Sequence, residues 1–290
     1  MEYFNYKINE IYDNITIREF LNKLKVAKNK INYFITNKCF YINGENVDID
    51  AILHKDDYLD IDILAFEQID YLPCEKKVEI LYEDDYILVV NKPKKIIIFP
   101  ENKEENGTMA NVIAGLYTLR GEDRTIRHAH RLDKDTSGCL VYAKDVITHS
   151  ILSSMFENNE VKKDYIAIVE NKVKKDGVIT SNIGKDRHVN GKMAIARNGK
   201  SAFTSYHIEK TYNDVTVLKV RIKTGRTHQI RVHLSSIGHP LLGDYLYGAK
   251  IENINSVMLH AKRVTFTHPF TNQVLIVDAP IHKDMKKYVN

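Results

Sequence analysis

Apolar residues in the first part of the chain recur at two periods. Ile17, Phe20, Leu21 and Leu24 are spaced as one face of a helix, with Thr16 in front as its cap. Ile31, Phe34 and Ile35 predict a second helix, capped by Asn29. The period then changes. Cys39-Phe40-Tyr41-Ile42 reads as a short strand ending in Asn43-Gly44, a tight-turn pair. Leu59, Ile61 and Ile63 alternate with Asp60 and Asp62, which predicts a strand over 58–64. Residues 1–70 therefore predict one small α+β module. Residues 71–77, with Pro73 in a polar run, predict a linker.

From 78 onward, short apolar runs alternate with helical periods. Strands are expected over 78–82, 86–91, 96–99, 138–142, 165–169, 201–209, 215–223, 264–266 and 274–277. Thr108 caps a helix carrying Val112, Ile113, Leu116 and Tyr117, and Asp145 caps another. Thr227 is expected to start a further helix, with Ile230, Leu234 and Ile237 on its buried side. This succession predicts an α+β domain over 78–290, built on a mainly antiparallel mixed sheet flanked by helices and loops.

Composition changes this picture in one respect. The 290 residues carry 42 Lys+Arg against 38 Asp+Glu, a formal net charge of +4. Residues 1–70 hold 8 Lys/Arg and 13 Asp/Glu, so the surplus lies in the remainder, which suggests a polyanion partner. Within the front module the cations Lys23, Lys25, Lys28, Lys30 and Lys38 crowd the two helices, as a surface for a phosphate backbone would require. A solvated lysine face explains the same charges. No apolar run approaches the roughly 18 residues of a membrane span, and the N-terminus lacks the apolar stretch of a signal peptide. Cys39, Cys74 and Cys139 are widely spaced, so a disulfide framework is not expected and a reducing cytoplasm is.

Two polar clusters carry the chemistry. The first is His128-Ala129-His130-Arg131-Leu132-Asp133-Lys134-Asp135-Thr136-Ser137-Gly138, between two structured elements. His128 and His130 with Asp133 could begin a metal site, but Arg131 and Lys134 among the ligands disfavour it. A carboxylate nucleophile is the other option. An ionised Asp in a partly buried site needs a nearby cation, best a bidentate arginine. The second cluster supplies one: Thr224-Gly225-Arg226-Thr227-His228-Gln229-Ile230-Arg231-Val232-His233.

Together the clusters resemble the signature motifs of RluA-type RNA pseudouridine synthases. His130-Arg131-Leu132-Asp133 with Thr136-Ser137-Gly138 matches one motif, and Gly225-Arg226-Thr227-His228-Gln229-Ile230-Arg231 another. Lys163-Asp164-Tyr165-Ile166-Ala167 and Gly199-Lys200-Ser201-Ala202-Phe203-Thr204 are similar to two more. So are Gly238-His239-Pro240-Leu241-Leu242-Gly243-Asp244 with Tyr247-Gly248, and Leu259-His260-Ala261. The similarity runs in order from about 78 to about 280. The front module resembles the alpha-L type RNA-binding domain of ribosomal proteins, through Tyr41-Ile42-Asn43-Gly44 and Lys55-Asp56-Asp57-Tyr58-Leu59. One stretch departs. The family reads Lys-Pro-x-Gly and then His-Pro, where this chain has Lys92-Pro93-Lys94-Lys95-Ile96-Ile97-Ile98-Phe99-Pro100.

The resemblance implies isomerisation of uridine to pseudouridine within RNA, with Asp133 as nucleophile. Arg231 would pair with Asp133, and Tyr165 would stack on the uracil. The uridine must be flipped out of its helix, and Arg131 could fill the gap or hold a phosphate. His130, Thr136, Arg226 and His228 are expected around the substrate. No cofactor and no metal is implied. The expected partner is ribosomal RNA, with transfer RNA second, and the expected state is a monomer. A non-catalytic RNA-binding or assembly protein on the same scaffold is the reading from a different class.

Overall fold

The computed structural model describes residues 3–102 and 105–289. The front of the chain forms a four-stranded antiparallel sheet in the spatial order Tyr3–Lys7, Tyr58–Asp62, Phe40–Ile42, Glu45–Val47. Two helices cover it, α1 (Ile17–Lys23) and α2 (Lys28–Thr36). The Thr16 hydroxyl accepts from the Glu19 amide, and the Glu19 carboxylate accepts from the Thr16 amide, a reciprocal cap that starts α1. Asn43 and Gly44 both take positive φ, 52° and 84°, as the two-residue hairpin turn requires. One boundary differs from expectation. Helix α2 begins at Lys28 after an uncapped Ala27, and Asn29 lies inside its first turn. Burial of Ile31 and Phe34 sets the phase of α2, and packing outweighs the missing cap.

The body is built on a ten-stranded sheet. Its main path runs Gly177–Ile179, Thr204–Thr211, Val215–Ile222, Lys162–Glu170, Leu259–Thr267, Ser137–Ala143, Ile87–Lys92, Glu79–Glu83. All pairs along it are antiparallel except Ser137–Ala143 with Leu259–Thr267, where Gly138 faces Ala261 in parallel register. Gly138 has φ +111°, and a Cβ there would sit 2.1 Å from the Ala261 carbonyl oxygen, so the crossing needs glycine. Helices α3 (Met109–Arg120) and α4 (Val146–Glu157) start at the expected caps. Thr108 exchanges hydrogen bonds with Asn111, and Asp145 accepts from the amides of Ile147 and Thr148.

Three expectations change. Residues 96–99 form no strand; the Ile97 and Ile98 carbonyls accept instead from the Met109 and Ala110 amides at the start of α3. Those amides are the unpaired donors of a helix N-terminus, and the apolar run is spent on satisfying them. Residues 71–77 are strapped along α3: Asn111 donates to the Leu72 carbonyl, the Cys74 amide donates to the Asn111 carbonyl, and Gly115 leaves room for the Cys74 backbone. The third helix of the body, α5 (Gln229–Ser236), starts two residues after Thr227 because His228 turns the chain at φ +55°. Ile230 and Leu234 are buried there, whereas Ile237, beyond the helix, is 39% exposed.

Front and body share one core. Phe270 packs against Phe4, Tyr6 and Tyr86 with ring centroids 5.5, 5.5 and 4.2 Å away. Val146 and Ile147 of α4 join the same cluster. The Tyr86 hydroxyl donates to the Asn5 carbonyl, and Glu67 meets Arg127 at 2.7 Å in a buried ion pair. Phe270→Ala should therefore cost about 3–5 kcal/mol. Chemical denaturation followed by tyrosine signals should show the front module releasing first. A single transition at the wild-type midpoint would contradict the shared core.

Candidate active site

Three elements deliver the polar clusters to one place. The Asp133–Thr136 turn closes with the Thr136 amide on the Asp133 carbonyl and runs directly into the strand that begins at Ser137. Beneath it lies Lys92, fully buried, whose ammonium donates to the carbonyls of Pro93, Lys134 and Thr136 at 2.9, 3.0 and 2.8 Å. Burial pushes the Lys92 pKa down to about 7, while Asp133 and Asp135 act to raise it. Gln229, at the start of α5, stitches the second cluster. Its side-chain oxygen accepts from the Thr224 hydroxyl and the Arg226 amide, and its nitrogen donates to the Phe203 carbonyl. Tyr165 comes from the middle of the sheet on Lys162–Glu170.

These elements enclose a cavity of about 530 Å³ lined by Asp133, Tyr165, Arg131, Thr136, Arg226 and His228. The Asp133 side chain is 27% exposed, and Arg231 approaches it with one nitrogen at 3.9 Å. The Tyr165 phenol is buried, which raises its pKa well above the ordinary value; Asp133 raises it further. It is a neutral phenol in this site. Lys163 adds a buried cation to the wall, its pKa lowered by that burial.

The expected bidentate partnership goes elsewhere. Arg231 gives its fork to Asp244, Nε at 2.7 Å and Nη2 at 2.8 Å, and Asp133 receives only the long contact. Asp244 is 1% exposed, so its charge has to be met inside the protein, and a parallel two-bond fork does that. The Arg231 guanidinium also lies 4.9 Å over the Tyr247 ring, and the Tyr247 hydroxyl contacts His228 Nδ1 at 2.9 Å. Asp244 and Tyr247 thus form the bed on which Arg231 and His228 rest.

Comparison with known proteins points to one family. The family described as RNA pseudouridylate synthase matches residues 86–236, and the RluD ribosomal pseudouridine synthase N-terminal domain matches residues 4–59. The chain is 38% identical over 266 residues to the uncharacterized RNA pseudouridine synthase YhcT of Bacillus subtilis (strain 168), covering 91% of this chain and 88% of that one. It is 30% identical over 278 residues to the ribosomal large subunit pseudouridine synthase D of Pasteurella multocida (strain Pm70), covering 91% and 86%. Among solved structures, human RNA pseudouridylate synthase domain containing 1 superposes with TM-score 0.60 at 25% identity, over 71% of this chain and 84% of that one. The chain belongs to the RNA pseudouridine synthase family.

Within this pseudouridine synthase the other predicted residues fall into distinct settings. His130 lines the cavity wall but its Nε2 accepts from the Val141 amide and its ring stacks on Phe156 at 4.6 Å. It holds the loop from behind. Burial, then the Lys163 cation, pushes its pKa down to about 3. The His128 ring stacks instead on Phe99 at 5.5 Å, so the two imidazoles are engaged with different elements. Arg226 donates through Nε to the Ser201 carbonyl at 3.0 Å. Lys23, Lys25, Lys28 and Lys38 are exposed on or beside the front helices, outside the cavity. Lys30 differs: it is half-buried, and burial and then the neighbouring Arg127 lower its pKa. It serves the module junction rather than an open face. No helix among the described residues is long and apolar enough to cross a membrane.

Sequence reading missed Asp244, Tyr247 and Lys92 as parts of the site. Gly243-Asp244 and Tyr247 stood only in a stretch that resembles the family, with no role attached, and nothing in the spacing ties Asp244 to Arg231, thirteen residues earlier. Asp244→Asn removes the charge that anchors the Arg231 fork while keeping the shape. Misplacement of a catalytic group by about 1 Å can cost roughly 100-fold. The kcat for pseudouridine formation should fall by about that factor, with KM for RNA within a few fold of wild type. An unchanged kcat would show that the Asp244 bond does not position Arg231.

Buried histidines give the fold a pH dependence. His260, whose Nδ1 contacts the Ser137 hydroxyl at 2.9 Å, is pushed down to about 4 by burial, as His130 is to about 3. The unfolded chain takes up these two protons near the ordinary value of 6.5, whereas the folded chain takes them up only at its lowered values. Their stabilisation is present above pH 6.5 and is lost as pH falls. Denaturant midpoints should therefore drop steadily from pH 6.5 to pH 5, and His130→Gln should flatten that slope. An identical slope in the variant would remove His130 from the account.

Proposed function

We infer that the protein converts specific uridines of ribosomal RNA to pseudouridine, with Asp133 as the nucleophile. The observation that carries this reading is a carboxylate without a short ion pair, facing a buried tyrosine ring in a cavity of about 530 Å³. An aspartate oxygen attacks the nucleoside, the bond from N1 to the ribose carbon breaks, and the base turns within the cavity. Its C5 then bonds to that carbon, and the bond made by the aspartate oxygen breaks, which returns the free carboxylate. The C5 proton leaves and N1 gains one, so no oxidant, reductant or group donor is consumed.

Each neighbour has a part. Tyr165 offers an uncharged ring face to the uracil, an interaction of roughly 1–3 kcal/mol. Arg231, fixed by Asp244, sets the field around Asp133 without capturing it. A paired uridine cannot reach Asp133 inside a helix, so the base is flipped out. Arg131, exposed at the cavity mouth, occupies the vacated space or holds a phosphate. The front helices, with Lys23, Lys25, Lys28 and Lys38, grip the RNA backbone beyond the cavity. Relatives named ribosomal large subunit pseudouridine synthase D favour ribosomal RNA over transfer RNA as the target.

Bulk RNA from cells lacking this protein, incubated with it and scored for pseudouridine, tests the reading. Wild type should form pseudouridine at defined positions of large-subunit ribosomal RNA. Asp133→Asn should form none while binding that RNA within a few fold of wild type. Tight binding without product from wild type would make the protein a binder. Product from Asp133→Asn would assign the nucleophile elsewhere.

A further inference from the structure

We propose that Phe99 seats Arg131 to form a layered platform for the nucleobase next to the target uridine. This rests on the pseudouridine synthase reading of the Asp133 cavity. A second cavity, of about 210 Å³, opens on the far side of the same loop. It shares Arg131, Leu132, Asp133 and His228 with the first, so the two are neighbouring chambers around one nucleophile. Ile97 and Phe99 supply its apolar side; Arg131, Lys134 and Arg231 line it together with Glu101, Asp133 and Asp135, so its charges balance and its exposed guanidinium, Arg131, is the group left free to meet a base. A nucleotide that lays its uracil on Tyr165 leaves its chain neighbour beside this second chamber. An apolar wall and an aromatic ring carrying a guanidinium are what a base requires: a face on which to stack.

Phe99 belongs to the stretch that departs from the family, and that stretch is firmly built. Lys95 holds φ +65°. The buried Lys94 ammonium donates to the Ser256 hydroxyl at 3.0 Å and lies 3.8 Å from Asp284. The Ile97 and Ile98 carbonyls are tied to the start of α3. The Phe99 ring is thereby fixed, stacked with His128 at an interplanar angle of 27°, and the Arg131 guanidinium lies 5.3 Å from its centroid. Arg131 is exposed, makes no ion pair among the described residues, and rests its guanidinium against this ring. A guanidinium held over an aromatic ring by cation–π attraction keeps an open side that a base can stack on.

If Phe99 were only an apolar filler, leucine would replace it. The test uses a short ribosomal RNA fragment that wild type converts, with the nucleotide on either side of the target uridine made abasic in turn. One of the two abasic fragments should lower wild-type kcat/KM about tenfold, chiefly through KM. Phe99→Leu should lower kcat/KM on the intact fragment by a similar factor and lose most of its sensitivity to that abasic site. Phe99→Trp should stay within about threefold of wild type. Phe99→Leu added to Arg131→Ala should cost little beyond Arg131→Ala alone. Thermal melts identify any variant that fails to fold, and Phe99→Trp keeps the test open in that case. A Phe99→Leu enzyme as fast as wild type, or one that retains the full abasic penalty, overturns the platform and leaves the function standing. Absence of pseudouridine from wild type on every RNA would remove the function reading, and the platform with it.

Discussion

Three cations lie around Asp133, and none closes a short ion pair with it. Arg231 is held by Asp244, Lys92 by three backbone carbonyls, and Arg131 rests on the Phe99 ring. This arrangement is the constraint on which the site depends. A carboxylate locked into a two-bond fork with arginine has spent its oxygens and would have to break that fork to act as the nucleophile proposed above. A carboxylate with no cation near would be driven toward its neutral form by burial. The protein meets both demands by giving each cation a partner of its own. Positive potential then reaches Asp133 without any one cation occupying its oxygens.

The cost of burying those charges explains the surrounding architecture. A buried ion that loses its partner costs several kcal/mol, so each partner must be fixed by rigid elements. Asp244 is fixed where Tyr247 and Ala249 donate backbone hydrogen bonds to its carbonyl. The carbonyls around Lys92 are fixed because the Asp133–Thr136 turn enters the central sheet directly at Ser137. There the single parallel crossing at Gly138 admits no side chain. Sheet, turn and buried lysine are one device, and substitution of any of them moves the carboxylate.

Most of the scaffold was legible from periodicity and caps. The helices behind Thr16, Thr108 and Asp145, the Asn43-Gly44 turn and the central strands lie where local residue chemistry puts them. Local signals failed where a long-range partner outranked them. The apolar run at 96–99 reads as a strand, yet its carbonyls satisfy the start of a helix ten residues on. Residues 71–77 read as a linker because their anchors, Asn111 and Gly115, lie some forty residues away in the sequence. The site followed the same rule. Asp133, Tyr165 and Arg131 were legible as parts of motifs, and they do share a cavity. The partner of Arg231 was not legible, because a carboxylate becomes specific to an arginine only once the chain has folded both into one buried place.

Pairing also sharpens the charge argument. A polyanion senses the cations that acids in the protein have not already neutralised, since those are the ones whose counterions it can release. In the front module Lys7, Arg18 and Lys55 are each matched to an acid, Asp56, Asp50 and Glu10. Lys23, Lys25, Lys28 and Lys38, on the helix side, have no such ion pair among the described residues. In the body, Arg221 and Arg263 are matched to Asp164 and Asp278. Lys185, Arg187, Lys192 and Arg197, on the exposed hairpin around Met193–Ile195, have no ion pair among the described residues. That hairpin reaches the site, for the Met193 amide donates to the Tyr247 hydroxyl. Unmatched cations thus gather at the front helices and at this hairpin, among other places on a nearly neutral chain. The aromatic junction at Phe270 ties those two to one rigid frame, so an RNA held at the front helices is held at a fixed offset from Asp133.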